Sequence, residues 1–263
     1  MGLLDGKKAL IFGVANDHSI AWGIAKAFHA QGAAVGFSSI AELAERRVKP
    51  LAESIGSTFV ESCNVQNDDE IEAVFAKWKE QYGDLDILVH SLAFAGRDAL
   101  SGQFVNTSRA NFHLALDISA YSLVALTLAA LPLMHAGSNV LTLTYYASEK
   151  FVPSYNVMAI AKAALEACVR YLAVDLGPQG VRVNAISAGP VRTLAASGVS
   201  GFKVMHNKFK EVAPLRRPIT PEVVGDAAIW LCSDFASATT GEVLFVDGGV
   251  NVLAIAAPEE GSV

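Results

Sequence analysis

KKALIFGVANDHSIAWGIAKAFHAQ, residues 7–31, reads as a strand, a turn and a helix in direct succession. Ala9–Gly13 is a short apolar run closed by glycine, and from Ile20 to Gln31 the apolar residues return at helical spacing. A chain that turns sharply from strand to helix leaves backbone N–H groups free at the helix start, where phosphate binds. Ser19 suits an N-cap and offers its hydroxyl to a pyrophosphate oxygen. Gly23, one turn in, would let that helix lie close to the sheet. The segment is not G-x-G-x-x-G, so an ordinary strand-to-helix turn with a serine cap reads equally well from it alone.

The same alternation continues outward. Apolar runs at Ala34–Ser38, Ser57–Glu61, Ile87–His90, Ser138–Thr144, Arg182–Ser187 and Val243–Val246 read as strands. Helical patterns fill the intervals over Ala41–Ile55, Asp68–Tyr82, Arg109–Met134, Tyr155–Leu176 and Pro221–Ser233. Short apolar runs between longer amphipathic stretches are the pattern of a parallel sheet covered on both faces. The expected fold class is α/β, a single doubly wound Rossmann-type domain over residues 1–257 with a seven-stranded parallel sheet. Residues 258–263 read as a frayed tail. The stretch 188–212 follows a strand, opens with Gly-Pro after Ala188 and lacks helical periodicity until Phe202. It lies where ligands bind in this architecture, outside the carboxyl ends of the strands.

Composition narrows the function classes. A formal charge of −6 and the absence of a basic stripe argue against nucleic acid. Hydrophobic residues are 52% and charged residues 17% of the 263, a balance that points to surface buried between subunits. Cys63, Cys168 and Cys232 are far apart and read as reduced core residues of a cytoplasmic protein. The six histidines show no metal-ligand spacing, so no metal is inferred. The N-terminus lacks a signal peptide's basic start and cleavage site. Ile118–Met134 is uncharged, but it contains Ser119, Ser122, Thr127 and Pro132. It reads as a helix buried between subunits and not as a membrane span.

The most pointed chemistry lies in SYNVMAIAKAALEA, residues 154–167. On a helix, Tyr155 and Lys162 would share a face, because seven steps of about 100° fall about 20° short of two turns. A phenol and an ammonium on one face can address two points of one bound molecule. A 2′-phosphate on the cofactor's adenosine ribose calls for a cation at the end of the second strand. That end reads Ser38-Ser39-Ile40-Ala41-Glu42, with Arg46 and Arg47 a turn further on, which favours NADH over NADPH.

Taken together, these motifs resemble the bacterial enoyl-acyl-carrier-protein reductases, a divergent branch of the short-chain dehydrogenase/reductases. The likeness runs through GKKALIFGVANDHSIAWGIA, VHSLAFA, DISAYSLVAL, YNVMAIAKAALEACVRYLA, VRVNAISAGPVRTLAASG and TGEVLFVDGG. Its specific mark is the seven-residue Tyr155–Lys162 spacing, where ordinary members of the superfamily place lysine four residues after tyrosine. A second mark is His90-Ser91-Leu92-Ala93-Phe94-Ala95 in place of Asn-Asn-Ala-Gly.

The resemblance implies reduction of the trans-2 double bond of enoyl thioesters carried on acyl-carrier protein, in fatty-acid elongation, by a homotetramer. It implies that Tyr155 stabilises the enolate, that Lys162 grips the nicotinamide ribose and that Tyr145, rather than Tyr146, is the second tyrosine. Gly13, Ser19 and Ile20 would hold the pyrophosphate, and Asn64 and Val65 would flank the adenine. Ser91, Leu92 and Ala93 would line the floor, with Val191 and Thr193 at the nicotinamide end. Ala95 and Met158 would edge the acyl pocket, with Phe202 and Met205 on the segment covering the substrate. Leu194, Ala195 and Ala196 extend that apolar lining, and Gly198 and Gly201 suggest hinges for a lid.

Three positions depart from the family pattern: Asn64 stands for Asp, Ile40 for Gln and Ala93 for Gly. All three touch the cofactor's adenosine half or floor. A carbonyl or alcohol dehydrogenase on the same scaffold, or a silent dinucleotide-binding protein, is the alternative. Lys162 is further expected to lower the pKa of the nearby phenol.

Overall fold

The computed structural model describes residues 2–194, 196 and 201–254. Seven strands form one parallel sheet: β1 (Lys8–Phe12), β2 (Ala34–Ser39), β3 (Val60–Ser62), β4 (Ile87–His90), β5 (Asn139–Thr144), β6 (Arg182–Ala188) and β7 (Val243–Val246). They lie in the order β3-β2-β1-β4-β5-β6-β7, so the winding reverses between β1 and β4. The helices are α1 (Ile20–Ala30), α2 (Ala41–Leu43), α3 (Lys49–Ser54), α4 (Asp68–Tyr82), α5 (Arg109–Leu116), α6 (Ser122–Ala130), α7 (Val157–Leu176), α8 (Phe202–Val212) and α9 (Pro221–Cys232).

Strand alternation divides the core in two. Ala9 and Ile11 of β1 face a cluster built with Ile24, Phe28, Val224 and Leu231 of α1 and α9. Leu10 and Phe12 face the opposite cluster, with Val74, Trp78, Leu123, Leu126, Leu165 and Val169 of α4, α6 and α7. Both faces of the sheet are therefore covered, which is why the strands read as continuous apolar runs.

The long run Arg109–Leu133 is apolar enough by length and composition to cross a membrane. Here it lies against the sheet, with Ala120, Leu123, Leu126, Ala130 and Leu133 in the core. Tyr121 and Leu128 on its outer face are exposed.

Several sequence expectations are corrected in detail. β3 begins at Val60 and not Ser57, because the Ser57 N–H bonds back to Ala52 O at 2.9 Å and closes α3. The helix expected over Ala41–Ile55 is split by a π turn at Ala44–Val48. Pro50 accounts for it, since proline lacks an N–H and clashes with the carbonyl four residues back. The helix expected over Arg109–Met134 is likewise interrupted by a π turn at Asp117–Tyr121. There Ser122 Oγ donates to Ile118 O at 2.7 Å. The 188–212 stretch gains a regular helix, α8, over its second half. Ala195, Gly198 and the tail 258–263 lie outside the described residues, so the lid and frayed-end expectations are not carried further.

Gly23 does admit a close approach, but to a helix and not to the sheet. A Cβ on Gly23 would stand 2.4 Å from Pro221 O, and one on Gly225 would stand 2.8 Å from Gly23 O. These two glycines let α1 and α9 touch backbone to backbone. Gly23→Ala should therefore lower the thermal midpoint by several degrees, the overpacking cost being about 1–3 kcal/mol. Were helix propensity dominant, the substitution would instead raise the midpoint.

Candidate functional site

The carboxyl ends of β1, β4, β5 and β6 meet along one edge of the sheet, beside the winding reversal. Gly13 ends β1 with φ 104°, and a Cβ there would stand 2.1 Å from Ser91 O. The strand-end backbones of β1 and β4 are thus in contact, and Ser91 N donates to Phe12 O at 3.0 Å.

The loop between Gly13 and α1 is organised by Ser19. Its Oγ accepts from Ala15 N at 3.0 Å and Asn16 N at 3.1 Å, so the hydroxyl binds the loop and makes no cap bond to α1. Ser19 thus occupies the expected N-cap position without the side-chain cap bond. The backbone at Ser19 is extended, and its carbonyl takes Trp22 N and Gly23 N. The Ile20 and Ala21 N–H groups stand in the first turn, the place where helix geometry provides no intrahelical acceptor. A helix start following closely on the glycine that ends β1 suits an anionic group such as the pyrophosphate of a dinucleotide.

Asn64 and Val65 follow β3. Asn64 Oδ1 accepts from Gln66 N at 3.1 Å, and Asn64 N donates to Glu70 Oε2 at 2.7 Å. Asn64 therefore makes an Asx turn that the family's Asp would make equally well. At the end of β2, Ile40 is 50% exposed and Ser39 Oγ donates to Val14 O at 3.2 Å.

Tyr155 precedes α7 instead of starting it, so the two-turn rod expected for Tyr155 and Lys162 is incorrect. Asn156 between them has φ 42° and ψ −121° and breaks the helix there. Its Nδ2 donates to Ser101 O at 3.3 Å, tying this break to the 97–102 turn. Tyr155 is half-buried against a third, small apolar cluster that contains Ala99, Leu100, Val157 and Met158, with Ala95 alongside. Tyr145 meets it edge-on, the ring centroids 5.1 Å apart. Tyr155, Tyr145, Ala95 and Met158 are thus brought together. Tyr146 is engaged elsewhere, against Phe245 and the Asn251 carbonyl.

Lys162 is 5% exposed, and its Nζ donates to Leu143 O at 2.7 Å. Burial lowers its pKa to about 8, opposed by the Glu166 carboxylate. Burial and then Asp247 push the Tyr145 phenol up to about 12. Burial and then Tyr145 raise Tyr155 further still. Lys162 is not among the causes, so the expectation that it lowers the Tyr155 pKa is not met. Tyr155 is a neutral phenol, a proton donor, at any physiological pH.

Beneath this pair lies a polar layer that the motifs did not reveal. His90 places Nδ1 2.8 Å from Thr142 Oγ1 and Nε2 2.8 Å from Ser122 Oγ. Ser122 Oγ also donates to Ile118 O at 2.7 Å and Thr142 Oγ1 to His90 O at 3.2 Å, so both hydroxyls tie the ring to neighbouring backbone. Burial and then Lys162 lower the His90 pKa to about 3, keeping the ring neutral. Ser119 Oγ accepts from Phe94 N at 3.0 Å and so pins the loop after Ser91, Leu92 and Ala93. Asp247 accepts from Gly249 N and Asn251 N, the turn role its Asp-Gly-Gly sequence implies.

On the β6 side, Val191 is buried in the core cluster, and Thr193 Oγ1 accepts from Ala196 N at 3.1 Å. His206 of α8 is buried and places Nδ1 2.9 Å from Pro190 O. Phe202 and Met205 lie on α8, their side chains outside the described ones. Among the described residues no three metal-ligating side chains converge.

A family model described as enoyl-(acyl carrier protein) reductase matches residues 13–251. The chain is 50% identical over 261 residues to the enoyl-[acyl-carrier-protein] reductase [NADH] FabI of Aquifex aeolicus, covering 99% of this chain and 97% of that protein. It is 51% identical over 253 residues to the protein of the same name from Nostoc sp., covering 95% and 98%. The solved Bacillus cereus enoyl-acyl carrier protein reductase, crystallised with NADP+ and indole naphthyridinone, superposes with a TM-score of 0.95 at 49% identity. That match covers 97% of this chain and all of the other. The Anaplasma phagocytophilum reductase in complex with NAD gives 0.94 at 49% identity, covering 98% of each.

The neutral His90 has a thermodynamic signature. Its pKa is lower folded than unfolded, so the unfolded chain binds the extra proton between about pH 6.5 and pH 3. Stability should fall across that window as pH drops, by about 1.4 kcal/mol per unit from this group alone. In His90→Gln, urea midpoints measured from pH 7 to pH 4 should lose much of that slope. An unchanged slope would place the titration elsewhere.

Proposed function

The chain belongs to the enoyl-(acyl carrier protein) reductase family, and we propose that it reduces the trans-2 double bond of enoyl thioesters on acyl-carrier protein with NADH. The observation that carries this reading is the placement of two edge-on tyrosines against an apolar cluster, with a buried lysine on the adjoining helix. Cofactor fit is supported by the first turn of α1, which begins close behind the Gly13 strand end and has no side-chain cap.

NADH, when bound, supplies the hydride to the substrate β-carbon. Charge then builds on the thioester carbonyl oxygen, and a donor there stabilises the transition state more than the ground state. Tyr155 is that donor: its raised pKa keeps the proton on the phenol until the enolate oxygen takes its share. Tyr145 packs against it as the second tyrosine, with Ala95 and Met158 at the edge of the acyl slot. Lys162 has three N–H donors and gives one to Leu143 O, leaving two for the ribose hydroxyls.

Gly13, Ser19 and Ile20 hold the pyrophosphate, Ser19 by shaping the loop whose N–H groups it binds. Asn64 and Val65 flank the adenine, Ser91, Leu92 and Ala93 form the floor, and Val191 and Thr193 border the nicotinamide. Phe202 and Met205 of α8, in the 188–212 stretch, are assigned to the substrate side of the same catalytic domain. The apolar, cation-free end of β2 at Ile40 supports NADH over NADPH, as do the [NADH] names of the relatives. Exposed Tyr121, Leu128, Tyr171 and Val174 on α5–α6 and α7 are surfaces for a homotetramer in the cytoplasm.

Initial velocities with a crotonyl thioester should be high with NADH and low with NADPH, while an acetoacetyl thioester should not be reduced. Preferential turnover of the acetoacetyl substrate would favour a carbonyl dehydrogenase instead. Tyr155→Phe should lower kcat by about 10²–10⁴, the worth of such an acid, with NADH affinity little changed. Lys162→Ala should weaken NADH binding by about 1.5–3 kcal/mol, the range for charged hydrogen bonds. Wild-type kinetics in both variants would remove the assignment.

A further inference from the structure

Glu166 lies one turn along α7 from Lys162 and is 6% exposed. A carboxylate at that depth needs a partner, and Thr144, the last residue of β5, provides one: Thr144 Oγ1 donates to Glu166 Oε1 at 2.6 Å. The residue before Thr144 is Leu143, whose carbonyl receives the Lys162 ammonium at 2.7 Å. Two consecutive residues of one strand end therefore hold two consecutive turns of one helix, one through a base and one through an acid. Ser187, paired in register with Thr144 on β6, has a buried Oγ with no hydrogen-bond partner among the described residues. The Thr144 hydroxyl is thus committed to the carboxylate and not to its neighbour across the ladder.

We propose that Glu166, held by Thr144, is a positioning residue that keeps the Lys162 ammonium charged and aimed at the cofactor ribose. This rests on the reading of Lys162 as the ribose-binding residue. The physical need is plain, because burial alone drives a lysine toward the neutral amine, which has lost one of its donors. Glu166 opposes that shift.

The other titratable groups on elements packed around this turn have other partners or charge states: Asp247 accepts from Gly249 N and Asn251 N, and Arg182 on β6 donates to Thr239 O and Ser233 O. His90 on β4 is neutral, and Tyr145 and Tyr155 hold their protons far into the alkaline range. Asp117 on the neighbouring π turn is engaged by Gln66 Nε2 at 2.8 Å, and Arg97, Asp98 and His113 are exposed.

The test is NADH affinity, followed by fluorescence on the full-length protein from pH 6 to pH 10. Wild-type affinity should fall as pH rises through the Lys162 titration, since only the ammonium offers three donors. Glu166→Gln, an isosteric change, should move that alkaline midpoint down by about one pH unit. Affinity at pH 6 should change less than twofold, and affinity near pH 8.5 several-fold. Thr144→Val should shift the midpoint in the same direction by less, and Thr144→Ser should restore it.

A lower melting temperature with an unmoved midpoint in Glu166→Gln would show a purely structural role and overturn the proposal. Should Glu166→Gln fail to fold, equal midpoints in Thr144→Val and Thr144→Ser would overturn it instead. Lys162→Ala separates the underlying reading. If its alkaline limb matches wild type, the ribose assignment of Lys162 fails. If the limb disappears there yet stays unmoved in Glu166→Gln, only the role of Glu166 fails.

Discussion

Removing the Lys162 ammonium from water is the constraint around which the centre of this molecule is arranged. The effective cost of such burial is several kcal/mol, so the groups around it are chosen narrowly. Leu143 O accepts one hydrogen bond from the ammonium at the strand end. Glu166 supplies negative charge one turn away, and His90 is kept neutral by burial and by Lys162 itself, so that it adds no second cation. The same strand ends carry Thr142, Thr144 and Tyr145, so one edge of the sheet sets the charge state of the lysine and the place of the phenols.

That edge exists because the winding reverses between β1 and β4, which opens a crevice outside the carboxyl ends. Gly13 lets the two strand-end backbones meet there, and Ser19 folds the following loop that leads into the first turn of α1. In the function proposed above, the cofactor's anionic half meets backbone N–H groups and its ribose a buried side chain. The phenols follow a third logic, since burial raises their pKa and makes Tyr155 a reliable donor.

Much of this was legible in the residues. The parallel sheet was visible because strands covered on both faces read as unbroken apolar runs, and β4 over Ile87–His90 and α4 over Asp68–Tyr82 fall where that pattern places them. The Tyr155–Lys162 spacing was visible too, but the geometry read from it was wrong. Spacing assumed one continuous helix, whereas Asn156 takes a left-handed conformation that no propensity argument anticipates. Pro50 carried a signal for the π turn at Ala44–Val48 that the continuous helix expected over Ala41–Ile55 overlooked.

The polar layer was not legible. His90, Thr142, Ser122, Thr144 and Glu166 come from four separate elements and meet only through strand register. Glu166 did stand at the helical i+4 position from Lys162, but without Thr144 across from it that spacing reads as an ordinary surface pair. Gly23 shows the converse limit. Its smallness signalled a close contact, yet only the fold reveals that the partner is α9.

The central claim is that the phenol and the lysine, though not on one rod, converge on one cofactor–substrate pair. A crystal structure with NAD and a saturated thioester bound tests it most directly. The account predicts Lys162 Nζ within about 2.7–3.2 Å of a nicotinamide ribose hydroxyl and Tyr155 Oη at hydrogen-bond distance from the thioester carbonyl oxygen. A ribose turned away from Lys162, or a carbonyl oxygen held by some other donor, would contradict it.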